Sequence, residues 1–184
     1  WTRQKNVHDY STVFEDAWEE DVKRMVEKDF NHPSVILYST GNEIQEAGSA
    51  KGAQTNRRIN EKIKQLDDTR YTVSAVNGML AGQDRLGEIL AQAMGISQEE
   101  LAASMAAGQE GAGQAETSPA SAGNEGGGAD ALNGMMSVMT GPLADAIATS
   151  PILAEMIEEY VSVTDIAGYN YLTALHEAEK ERHP

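Results

Sequence analysis

A chain of 184 residues, 40% hydrophobic and 23% charged, is long enough for one ordinary domain with a core and too short for two large ones. Its 29 acidic against 14 basic residues give a formal net charge of -15, which repels phosphate backbones and anionic lipid and so excludes nucleic acid and membrane surfaces as partners. Cysteine is absent, so there are no disulfides and no thiolate metal sites. No apolar run approaches the ~20 residues of a membrane span and no signal peptide opens the chain, so a cytoplasmic location is the expectation. Because the first residue is Trp1, the chain reads as excised from something longer.

Thr12 and Glu15 have the T-x-x-E form of a capping box ahead of a helical pattern. Phe14, Trp18, Val22, Met25 and Val26 then recur at helical spacing as one apolar face. Asn31-His32-Pro33 ends that helix, because proline pushes the residue before it out of the α region. The unbroken run Val35, Ile36, Leu37 and Tyr38 fits a strand buried on both faces, as in a parallel sheet. Residues 41–53 are loop-like, and a helix is expected over 54–66 with Ile59, Ile63 and Leu66 facing inward. Asp67-Asp68 breaks it, and the β-branched stretch 71–76 predicts a second strand, closed by Asn77-Gly78.

Residues 78–150 have a different character. Amphipathic pieces occur at 86–94 and 101–105, the second led by a capping box from Ser97 to Glu100. Between 108 and 130 the composition collapses to Gly, Ala, Ser, Glu and Gln, which buries too little apolar area to offset ordering entropy. Leu132, Met135, Met136 and Met139 suggest another short helix. Pro151 suits a first helical position, followed by Leu153, Met156, Ile157 and Tyr160. A third strand is expected over 163–169 and a charged helix over 174–182. Alternating helices and strands predict an α/β fold with a parallel sheet, open or closed. Its organisation is a first segment 1–77, an insertion 78–150 and a last segment 151–184.

A carboxylate directly after a buried strand sits at the C-terminal mouth of a parallel sheet, where such folds place their sites. Glu43 is in that position, with Gly41 giving backbone room and Asn42 an amide beside it. Two readings stand on spacing alone: a general acid holding its proton at a partly dry strand end, or polar residues that merely open the next loop.

The residues Asn31-His32-Pro33-Ser34-Val35-Ile36-Leu37-Tyr38-Ser39-Thr40-Gly41-Asn42-Glu43 resemble the acid/base segment of glycoside hydrolase family 2, R-x-x-N-H-P-S-[IV]-[IV]-x-[WY]-S-x-G-N-E. Upstream, Phe14, Asp16, Trp18, Asp21, Met25 and Val26 are similar to that family's F-x-D-x-W-x-x-D-x-x-x-M-V. Downstream, Asp165-Ile166-Ala167-Gly168-Tyr169-Asn170-Tyr171 is similar to its sixth barrel strand, D-[IV]-x-G-x-N-Y. The resemblance covers 1–77 and 151–184; none is identified for the insertion. It implies a partial (β/α)8 TIM barrel, strands four to six, from a retaining exo-acting β-glycosidase, a β-galactosidase first of all. Glu43 is then the acid/base, Asn42 the donor to the sugar 2-hydroxyl, and Tyr171, with Tyr169 next, the tyrosine that positions the nucleophile. The implied nucleophile falls beyond Pro184, so the isolated chain is expected to be inactive. The implied partner is a β-glycoside, with no cofactor and no metal, and self-association through open barrel edges or as a homo-oligomer. The rival reading is a non-catalytic carbohydrate-binding or structural module derived from the same barrel.

The other candidates carry less. His8, His32, His176 and His183 lack a partner at metal-ligand spacing. Glu46, one helical turn beyond Glu43, either touches substrate or is solvated, and the solvated position is the expectation. Gly111, Gly113 and Gly126 to Gly128 have no strand before them and no Lys-Ser/Thr after them, so they make no phosphate loop. The methionine cluster is expected to serve packing. The insertion is expected either to cap the mouth near Glu43 or to make a contact between copies.

Overall fold

Three strands and eight helices are distributed over residues 1–4, 7–111 and 141–182, which the computed structural model describes. Helix α1 (Phe14–Asp29) begins at Val13, which makes no side-chain capping bond. The box expected from Thr12 and Glu15 does not form. Asp9 instead caps a 3-10 turn over Tyr10–Thr12 by accepting from the Ser11 N–H, and the Thr12 hydroxyl donates to the Asp9 carbonyl at 2.8 Å. Local bonds of threonine to the backbone of this kind compete with helix capping. Phe14, Trp18 and Val26 are buried against Tyr38, Ile59 and Ile63, as the periodicity requires.

Strand β1 (Leu37–Asn42) starts two residues later than the apolar run. Ile36 is 72% exposed and Leu37 36%, while only Tyr38 of the run is fully buried. The expected burial on both faces therefore fails, because helices cover only one face of the sheet among the described residues. Arg70 anchors the approach to β1: its guanidinium donates to the carbonyls of Val35 at 2.7 Å and Phe30 at 2.8 Å and pairs with the Asp67 carboxylate. Asp67 also accepts from the Tyr38 hydroxyl at 3.1 Å, so the helix breaker doubles as a tie to the strand.

Helix α2 (Ala50–Leu66) begins four residues before its expected start. Ser49 caps it, accepting from the Gly52 N–H at 3.1 Å. Gly52 looks like a loop residue, yet a Cβ there would lie 1.9 Å from the Glu46 carbonyl oxygen. The glycine is present for close approach, within a helix.

Strand β2 (Tyr71–Asn77) lies in the centre and pairs in parallel with β1 and with β3 (Ile166–Asn170). The third strand is shorter than the 163–169 expected and later in the chain. Asp165 is withdrawn from it, accepting from the Thr72 N–H at 2.7 Å and pairing with Lys64 at 2.6 Å. The ladder between β1 and β2 slips by one residue between Ser39 and Gly41. Tyr38, Thr72, Ser74 and Val76 face the helices, whereas Leu37, Tyr71 and Ile166 stand on the bare side and are 36%, 64% and 38% exposed.

The insertion opens with α3 (Gly78–Ala81) and α4 (Leu86–Met94), which ends at Gly95 in the left-handed region with φ 68°. The box at Ser97 and Glu100 forms as expected, the Ser97 N–H donating to Glu100 at 2.8 Å and the Glu100 N–H to the Ser97 hydroxyl at 3.1 Å. It starts α5 (Gln98–Gly111). After the undescribed stretch, which holds Leu132 and the methionine cluster, come α6 (Pro142–Ala148) and α7 (Pro151–Val161), each with proline in its first turn. The charged helix α8 (Leu175–Arg182) follows β3. Ala81, Ile89 and Ile147 from the insertion share one core with Val76, Leu153, Ile157 and Tyr160. No helix among the described residues is long and apolar enough to cross a membrane.

Candidate active site

Each of the three strands ends in asparagine, at Asn42, Asn77 and Asn170. Asn77 and Asn170 are opposite each other in the ladder, and Asn42 lies opposite Ala75, two residues before Asn77. Three amides thus gather at the C-terminal ends of parallel strands, on the bare side of the sheet. The residues after Asn42 and Asn170 are the only described non-glycine residues with positive φ, Glu43 at 53° and Tyr171 at 60°. Backbone of this kind costs free energy and collects at functional sites.

The Glu43 backbone N–H donates to the Ala75 carbonyl at 2.8 Å, extending the ladder past the end of β1. Its carboxylate Oε1 accepts from Asn77 Nδ2 at 3.1 Å and from Asn170 Nδ2 at 3.3 Å. Asn170 Nδ2 also donates to Asn42 Oδ1 at 2.9 Å. Asn77 turns its amide oxygen the other way, accepting from the N–H groups of Met79 at 3.0 Å and Leu80 at 3.3 Å at the start of α3. Glu43 is half-buried, so its carboxyl is held by neutral donors and still open to solvent on one side. A carboxyl so placed can pass a proton in either direction.

The loop around Glu43 is packed from below. A Cβ on Gly41 would meet Ile44 Cγ1 at 2.8 Å and Trp1 Cζ2 at 2.9 Å, so the indole of Trp1 requires glycine there. Glu46 is buried at 4% exposure, contrary to the solvated position expected. Its Oε1 accepts from the Thr2 N–H at 2.6 Å, the Thr2 hydroxyl at 2.9 Å and the Arg3 N–H at 2.8 Å. Burial pushes the Glu46 carboxyl up, but these bonds outweigh it and hold it at about 2. Glu46 therefore fastens the first residues of the chain beneath the site.

Of the residues singled out in the sequence, Asn42 and Glu43 come together at the end of β1, and Tyr171 follows Asn170 at the end of β3. Tyr171 lines a cleft with Asn77, Gly78, Met79, Ala144 and Ile147. Tyr169 does not join them: it pairs with Val76 on the helix-covered face, and its hydroxyl donates to Glu179 at 2.7 Å. The alternation along β3 that brings Asn170 to the bare side turns Tyr169 to the other. Sequence reasoning passed over Asn77 and Asn170 as site residues. The available signal was the recurrence of asparagine at the end of S-T-G-N, S-A-V-N and A-G-Y-N. Among the described residues no group of three or more His, Asp or Glu is placed to hold a metal; His183 lies outside them.

Residues 4–119 match the family described as "Glycosyl hydrolases family 2, TIM barrel domain". Beta-galactosidase BoGH2A of Bacteroides ovatus is 40% identical over 55 residues, which are 30% of this chain and 6% of that protein. A solved glycosyl hydrolase family 2 member from Bacteroides cellulosilyticus superposes with a TM-score of 0.56 at 21% identity, over 100% of this chain and 14% of that one. A second from the same species gives a TM-score of 0.52 at 21% identity, over 95% and 14%. At such identity the two structures establish likeness of fold alone. The chain spans 14% of the solved relatives and 6% of the curated one.

Proposed function

The chain belongs to glycosyl hydrolase family 2, and on that premise we propose that the protein containing it removes terminal β-linked sugars, β-galactosides first, by double displacement with retention. In this reading β1, β2 and β3 are strands four, five and six of a (β/α)8 barrel whose interior is the bare side of the sheet. Glu43 protonates the departing glycosidic oxygen, then takes a proton from the water that releases the sugar from the enzyme. Asn42 donates to the sugar 2-hydroxyl, a contact that strengthens as the transition state forms. Tyr171 positions the nucleophile, which must stand about 5 Å from the acid/base and lies outside these 184 residues. The chain alone therefore turns over no glycoside.

The observation that carries the proposal is the Glu43 carboxylate at the strand mouth, held by Asn77 and Asn170 with Asn42 alongside. The 40% identity to a β-galactosidase over 55 residues favours a galactoside. The insertion is a helical cap beside this mouth, a reading supported by the cleft that Met79, Ala144 and Ile147 share with Asn77, Asn170 and Tyr171.

The test is Glu43→Gln in the full-length protein. Turnover of alkyl β-galactosides should collapse, while activated aryl substrates, whose leaving groups need little protonation, should retain much of theirs in the first step. Azide should restore activity on the aryl substrates and yield a β-glycosyl azide. Equal losses for both leaving groups, with no azide product, would refute the assignment.

A further inference from the structure

An asparagine side chain presents a donor on one side and an acceptor on the other, and half a turn of the amide exchanges them. At Asn77 the choice matters, since the residue is only 6% exposed and one side of its amide faces the Glu43 carboxylate. With the oxygen toward Glu43, two acceptors would oppose each other in a partly buried site; with the NH2 group there, Oε1 gains a donor at 3.1 Å. The first turn of α3 decides between them, because the N–H groups of Met79 and Leu80 hold the amide oxygen at 3.0 and 3.3 Å. An amide so held has one orientation and one direction in which to donate.

The turn that makes this choice is itself closely packed. A Cβ on Gly78 would lie 2.8 Å from Leu172 Cδ2 and 2.9 Å from Leu153 Cδ2, and one on Gly48 would lie 2.0 Å from the Ala81 carbonyl oxygen. The root of the insertion is thus wedged between α7, the residue after Tyr171 and the loop that leaves Glu43. Rigid packing of α3 fixes the Asn77 oxygen, the oxygen fixes the amide plane, and the NH2 group fixes Oε1 of Glu43.

We infer that Asn77 is a positioning residue for the acid/base, and that the insertion acts on catalysis through it: the first turn of α3 locks the Asn77 amide so that it aims the Glu43 carboxyl. This rests on Glu43 being the acid/base and goes beyond the cap reading, because it assigns the insertion a part in the proton transfer itself. Asn77 acts through Glu43: it holds Oε1 and so sets where the carboxyl stands when the leaving group must be protonated.

Two variants of the full-length protein separate this role from simple support of the fold. Asn77→Ser keeps an oxygen suited to capping α3 and deletes the donor to Glu43. Asn77→Asp keeps the capping oxygen and replaces the NH2 group by an oxygen that repels the carboxylate. Both should melt close to the unaltered protein with little change in KM, and lose about 10–100-fold in kcat on alkyl β-galactosides, Asp more than Ser. Activated aryl substrates should lose much less. Unchanged kcat on alkyl substrates would overturn the inference, as would equal losses on alkyl and aryl substrates. Loss of the cooperative melt in both variants would also overturn it, by showing that Asn77 serves the fold. Glu43→Gln measured in parallel distinguishes the two failures. If that variant shows no leaving-group dependence, the acid/base assignment falls; if it does and Asn77→Ser does not, only the role of Asn77 falls.

Discussion

Replacing Glu46 by Gln removes a buried negative charge while keeping the side chain's shape and an oxygen in place of Oε1. Three donors, the Thr2 N–H, the Thr2 hydroxyl and the Arg3 N–H, converge on that oxygen within 2.6–2.9 Å. Hydrogen bonds to a charged acceptor contribute roughly 1 kcal/mol more than neutral ones, so three of them predict a loss of about 3 kcal/mol. Proton linkage expresses the same bonds as a titration shift of matching size. The folded carboxyl sits at about 2 against roughly 4.3 for an unfolded glutamate, a gap also equivalent to about 3 kcal/mol. Because the folded value is the lower one, this stability is fully present above about pH 5 and drains away as the pH falls toward 2. Urea unfolding followed by circular dichroism from neutral to acid pH should therefore show two things. Glu46→Gln should be weaker at neutral pH by about 2–3 kcal/mol, and the gap to the unaltered protein should close on acidification. Asp67, held at about 2 chiefly by the Thr69 hydroxyl, against burial and with further help from the Thr69 N–H, Arg70 and Tyr38, supplies acid sensitivity of its own that both proteins keep. A gap that stays constant between neutral pH and acid would refute the reasoning, since the loss would then be packing and not charge.

Leu153 is fully buried among Val76, Ala81, Ile89, Ile147 and Ile157, so Leu153→Ala should cost about 2–5 kcal/mol, read as a fall in the urea midpoint with an unchanged slope. Because β1 and β3 are both sheet edges and Leu37, Tyr71 and Ile166 stand exposed on the bare side, the 184-residue chain should self-associate with rising concentration despite its net charge of -15. A single monomeric mass by light scattering across the concentration range would contradict that.

Much of the fold was legible because local rules carried it. The β-branched stretch that became β2, the box at Ser97 and Glu100, and Pro151 as the start of α7 each depend on neighbours within one turn or one strand. Misreadings arose where a local rule competed with a distant contact. Gly52 reads as a loop residue until the Glu46 carbonyl is seen beside it, and Glu46 reads as solvated until residues 1–3 fold under it. The site was half legible for the same reason. Glu43 and Asn42 follow a strand and announce themselves, whereas Asn170 reaches Asn42 across 128 positions. Periodicity within one segment holds no information about which residue another strand will bring alongside.

The slip between Ser39 and Gly41 has a consequence for how this chain tolerates changes in length. Upstream of it, even-numbered residues of β1 such as Tyr38 point at the helices; downstream, the extra residue brings Asn42 opposite Ala75, on the same side as Asn77 and Asn170. Thr40 therefore acts as a phase shifter in the strand. Were Thr40 paired in a regular ladder, it would stand opposite Ser74, and Asn42 would fall opposite Val76 and turn toward the helices; deleting Thr40 would instead remove the slip and leave Asn42 opposite Ala75. A regular strand seldom tolerates a lost residue, but the slip at Thr40 gives β1 a place where one can be removed without changing the partner of Asn42. The irregularity, and not the number of residues, is what turns Asn42 to the side of Asn77 and Asn170.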